Sequence, residues 1–171
     1  MNPEIPPNFL AVLHAGHWRH PGDEALRLLV PFLRDPMDFL ESEVEIGRES
    51  FSHLADHPHF ANRTREYRSS KVEEYRDLPW RDVERSIIVA VNRNLGDDVA
   101  IALDWRTSIE DPRVIATDWV SGGDGCHWRE VADRLSTFVA KLDEINKWQA
   151  TEAQPGATDN PDDAQRLRED H

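Results

Sequence analysis

Two short apolar runs, Ile87-Ile88-Val89-Ala90-Val91 and Val99-Ala100-Ile101-Ala102-Leu103, flank the turn-rich segment NRNLGDD, and this arrangement limits the fold more than any other stretch of the chain. Runs of β-branched and small apolar residues separated by Asn, Gly and Asp predict a β-hairpin. Side chains alternate along a strand, so Val99, Ile101 and Leu103 share one face of the second run and Ala100 and Ala102 the other. A helix can pack closely over the alanine side. A third strand, residues 113–119, is expected after the turn at Glu110-Asp111-Pro112. Beyond the Gly122-Gly123-Asp124-Gly125 loop, Val131, Leu135, Phe138, Val139, Leu142 and Ile145 form an apolar stripe that predicts a helix running to about Trp148.

Upstream the punctuation is proline and glycine. Leu26, Leu29, Val30 and Leu33 recur at helical spacing after Pro21-Gly22, with Asp23 and Glu24 suited to a helix amino terminus. Pro31 should kink or end that helix. Asp35-Pro36 then reads as the start of a second helix that turns Met37, Leu40 and Val44 inward and stops at Gly47. Periodicity fades between residues 49 and 76. The last residues, 149–171, contain almost no large apolar side chain and are expected to be a disordered acidic tail on a single domain spanning 1–148.

Charge narrows the partners. The 171 residues carry a formal net charge of -13 with a pI near 4.9, which disfavours nucleic acid and anionic membranes and favours basic proteins. Cys126 is the only cysteine, so no intramolecular disulfide can form, and a reducing compartment, by default the cytoplasm, is expected. The amino-terminal stretch lacks the basic start and apolar run of an export signal, and no apolar run approaches the roughly 20 residues of a membrane span.

Several clusters bear on chemistry. His14, His17 and His20 stand three apart with Asp23 three further on, ligand types that zinc prefers, and a metal-dependent hydrolase built on His14, His17 and Asp23 is the alternative reading of function. Helical spacing would nevertheless splay the outer histidines, and surface or packing roles are favoured. The same holds for His53, His57 and His59, and Cys126 beside His127 reads as a small buried or semi-exposed cysteine rather than a nucleophile. Arginines and tyrosines between Arg63 and Arg76 are interrupted by Glu66, Glu73 and Glu74, which suits a solvated face. No GxxxxGK, GxGxxG or GxSxG motif is present. The expectation is therefore a chain with no catalytic residues, no bound metal and no cofactor. Asp97, Asp98, Asp104 and Asp118 are expected to form a partially exposed negative rim at the sheet's end, with Trp105 and Trp119 either in the core or beside that rim as partner-binding residues.

Gly96-Asp97-Asp98 stands before a strand ending in Leu103-Asp104, followed by Asp111-Pro112-Arg113-Val114, then Asp118-Trp119, and finally Phe138 in a terminal helix. The order of these short motifs resembles the SUKH superfamily, which includes fungal cell-wall assembly regulators and many bacterial toxin-immunity proteins. Ile5-Pro6-Pro7-Asn8-Phe9 followed by Gly16 is similar to the family's proline-led first helix and glycine turn. The resemblance implies an α+β fold with a central, mostly antiparallel sheet, peripheral amino-terminal helices and a carboxy-terminal helix. It also implies action by protein binding, either as an immunity-type protein neutralising a toxin, often a nuclease, or as a regulatory scaffold.

Overall fold

Proline sets the first helix. Pro7 stands at the first helical position, where its fixed φ and missing N–H cost nothing, and α1 runs Pro7–His14 with Phe9 buried. Gly16 takes a positive φ of 73° just past its end and donates its N–H to Leu13 O at 3.1 Å, closing the last turn. The computed structural model describes residues 4–51, 68–70, 77–94, 99–119 and 125–154. Helix α2, Asp23–Leu29, begins and ends where its acidic first turn and Pro31 place it, and Leu26, Val30 and Leu33 are buried.

The next segment departs from expectation. Met37–Phe39 is a strand, β1, in which Met37 and Phe39 are buried and Asp38 is exposed. The extended backbone wins because it pairs with the hairpin: Met37 lies opposite Asn92 and Phe39 opposite Ala90. The following helix, α3, runs Glu43–Ser50 and passes through Gly47 without stopping. Its start is a capping box, in which Ser42 Oγ accepts from Glu45 N at 3.3 Å and donates to Glu45 Oε2 at 2.9 Å. That cap fixes the helix phase so that Ile46 faces the core and Val44, expected inward, is 79% exposed.

Two short strands, β2 (Ser69–Ser70) and β3 (Arg81–Asp82), pair in parallel. The expected hairpin is β4, Ser86–Asn92, against β5, Ala100–Asp104, with a register shift between Ile88 and Ala90. Strand β6, Arg113–Asp118, follows as expected. Residues 127–132, whose Val131 the apolar stripe places on the last helix, instead form β7, His127–Ala132, held by pairing with β6. The main sheet is antiparallel throughout in the order β1-β4-β5-β6-β7. Helix α4, Leu135–Glu152, follows and extends past the domain limit expected at 148, with Leu135, Phe138, Val139 and Leu142 buried. The remainder of the expected tail, 155–171, lies outside the described residues. An α+β architecture results, with four helices among the described residues.

Strands β5 and β6 are buried along their whole length, so both faces of the sheet centre are covered. Helix α3 packs on β4, and α4 packs on β6 and β7. Trp18, between α1 and α2, joins the layers: its ring stacks on Phe39 at 4.4 Å and approaches Phe9 at 5.3 Å and Phe138 at 6.1 Å. Aromatic contacts of this kind contribute about 0.5–1.5 kcal/mol each beyond area burial. No described helix is long and apolar enough to cross a membrane.

Candidate functional site

The ends of β5 and β6 bring opposite charges together. Asp104, the last residue of β5, pairs in register with Arg113, the first of β6. Its carboxylate is fully buried and accepts from Arg113 Nε at 3.0 Å and from Arg106 Nη2 at 2.6 Å, while Arg106 Nε lies 3.0 Å from both oxygens. Arg106 also donates to Trp80 O at 2.8 Å, tying the residues before β3 to the β5–β6 turn. Arg113 reaches outward to Asp77 Oδ1 at 2.9 Å. That bond, with the Leu78 N–H, holds the Asp77 carboxyl below its ordinary range. Burial works against the charge of Arg113, but the bonds from Asp77 and Asp104 outweigh it and leave its pKa raised.

A second buried guanidinium sits on β3. Arg81 donates to Ser86 Oγ at 3.2 Å and lies 5.5 Å from the Trp128 ring, and burial pulls its pKa down to about 10 against the pull of Asp82 and Asp104. Asp82 Oδ1 caps the following turn by accepting from Glu84 N and Arg85 N. Cys126 is buried as well, and burial pushes its thiol up to about 12, so it remains a protonated packing residue at neutral pH.

These positions correct the expected acidic rim. Asp104 and Asp118 are both fully buried, and Asp118 Oδ2 accepts from Arg129 Nη1 at 2.7 Å. A carboxylate at a strand end costs several kcal/mol to desolvate unless a cation goes with it, and here arginines on adjacent segments do so. Asp97 and Asp98 lie outside the described residues. Trp105 is half-buried against the core, its N–H held by Arg85 O at 2.9 Å. Trp119 is also half-buried and lines a slot of about 210 Å³ together with residues 32–35, Val99 and Thr117. Neither the slot nor the arginine partners of Asp104 and Asp118 were foreseen. The available signal was the opposite charge of Asp104 and Arg113 at the facing ends of consecutive strands.

The histidines disperse. His14 meets Glu43 on α3 at 3.3 Å, His17 meets Asp143 on α4 at 3.0 Å, and His20 meets Asp23 at 3.4 Å. His20 Nδ1 accepts from Gly22 N, and Asp23 Oδ2 turns to Arg93 Nη1 at 3.2 Å. Among the described residues no three His, Cys, Asp or Glu side chains gather into a set that could hold a metal. His14, His17 and Asp23 therefore serve three different contacts: one with α3, one with α4, and one at the start of α2. The histidines at 53, 57 and 59 lie outside the described residues, as does most of the Arg63–Arg76 stretch. Compared with protein-family models, with curated proteins and with solved structures, the chain gives no match.

Proposed function

We propose that the chain is a non-enzymatic protein-binding module of SUKH type, an immunity-type protein that acts in the cytoplasm by covering a basic toxin domain, with a nuclease domain the best-fitting target. The observation that carries this reading is where the charge resides. Among the described residues, three buried acids, Asp82, Asp104 and Asp118, are equalled in number by three arginines whose side chains are buried or nearly so, Arg81, Arg106 and Arg113, while Asp118 itself pairs with the half-exposed Arg129. The inward charges among the described residues therefore balance in number, which leaves the net charge of -13 to the other residues of the chain. An acidic protein gains association rate and complementarity against a basic surface, and nuclease active sites are basic because they bind phosphate. The ionisable groups nearest to a catalytic pattern, Cys126 and the Asp104 cluster, are engaged in packing and ion pairs.

The test is co-expression with toxin domains encoded beside this gene, together with binding of the purified proteins. Rescued growth and a complex whose association slows as salt rises are expected. A chain that neither rescues growth nor binds any neighbouring product removes the immunity reading.

A further inference from the structure

We propose that the slot beside Trp119 receives one basic side chain, an arginine or a lysine, of a protein partner; this rests on the protein-binding reading above and names the chemistry of one contact in it. Size argues first. A volume of about 210 Å³ lies below the ~300–1,000 Å³ of ordinary small-molecule sites and suits a single long side chain. The wall argues second. Phe32, Leu33, Val99 and Trp119 offer apolar surface for a methylene stem, and long basic side chains bury such stems while keeping the charged head in polar surroundings. An aromatic face also attracts a cation, and this wall already holds one, since the Arg129 guanidinium lies 4.7 Å from the Phe32 ring centroid.

Charge supplies the third argument. Asp35 lines the slot, is half-buried, and makes no hydrogen bond or ion pair with a described residue, whereas Asp104 and Asp118 are taken by arginines. It is the carboxylate at the slot open to an incoming guanidinium or ammonium group. Arg34 also lines the slot and opposes a cation there, but it is exposed, so water screens it. The net charge of -13 then favours a basic occupant over an acidic one. An aromatic occupant would fill the slot and leave Asp35 unanswered.

The experiment follows the Trp119 indole N–H by NMR in the full chain, its resonance identified by loss in Trp119→Phe. The protein is titrated separately with the N-acetyl amides of arginine, phenylalanine and glutamate. The arginine compound is expected to shift the Trp119 signal saturably, with affinity falling about fivefold in Asp35→Asn and rising in Arg34→Gln, both variants keeping the native circular dichroism. Tighter binding of the phenylalanine or glutamate compound, or arginine binding indifferent to Asp35→Asn, overturns the proposal. If the chain binds a basic toxin domain with salt-dependent kinetics while the arginine compound leaves Trp119 unmoved, the slot assignment falls and the protein-binding reading stands. If the arginine compound binds but no protein partner does, the protein-binding reading falls and takes the partner with it.

Discussion

Asp104 carries two guanidiniums on one buried carboxylate, so the cost of losing it is set by the cations left behind rather than by the bonds removed. Arg106 is almost fully enclosed and Arg113 nearly so, so both guanidiniums stay largely shielded from water when the carboxylate is lost, with Arg113 keeping its outward bond to Asp77. Breaking a buried pair by deleting one partner costs about 3–5 kcal/mol. Asp104→Asn should therefore lower the urea midpoint by an amount worth about that much, at an unchanged slope, because the surface exposed on unfolding stays the same. A loss below about 1 kcal/mol would mean that the arginines find other acceptors. Reading Asp104 from sequence as a rim residue missed this for a physical reason. Composition reveals that a residue is charged, while its burial depends on which residue stands opposite. Here the antiparallel register supplies Arg113, and the turn supplies Arg106 two residues later.

At the scale of elements, legibility followed the length and repetition of the apolar pattern. Strands β4, β5 and β6 are each five to seven residues long and apolar enough to be read directly, and α4 displays its stripe over several turns. Strand β1 has three residues, too few to display an alternation, and its preceding Pro36 suits a helix start equally well. The capping box at Ser42 and Glu45 was the overlooked signal that the helix begins later. Strand β7 has two adjacent exposed residues, Arg129 and Glu130, beside its register shift with β6, and so lacks the alternation of a half-buried strand. Phe138 tests the register of α4. It is 1% exposed and stands 6.1 Å from the Trp18 ring, linking the last helix to the amino-terminal segment. Phe138→Ala should cost about 3–5 kcal/mol by urea unfolding, from lost transfer energy and the cavity left behind. A tolerated substitution would place the helix's weight on Leu135 and Leu142 instead.

For the molecule as a whole, the separation of inward and outward charge sets which acidic substitutions act on folding and which act on association. Asp104 and Asp118 are internal, so changing them should destabilise the fold before it alters any partner. Asp97 and Asp98 belong to the connection between β4 and β5 and lie outside the described residues. If the acidic excess steers a basic toxin domain, replacing both with Asn removes two charges from the field without removing an anion from the buried pairs described. The association rate with that domain should then fall severalfold at low ionic strength, while dissociation and thermal stability change little. Raising salt from about 10 to 150 mM shortens the screening length from about 30 to 8 Å and should bring wild type and variant together. The measurement is a stopped-flow or surface-binding series over salt for the wild type, the double Asn variant and Asp35→Asn. Equal rates and equal salt slopes for the double variant and the wild type would remove the hairpin carboxylates from the steering surface. The binding contribution would then rest on short-range contacts at the slot, where Asp35→Asn should chiefly change the dissociation rate.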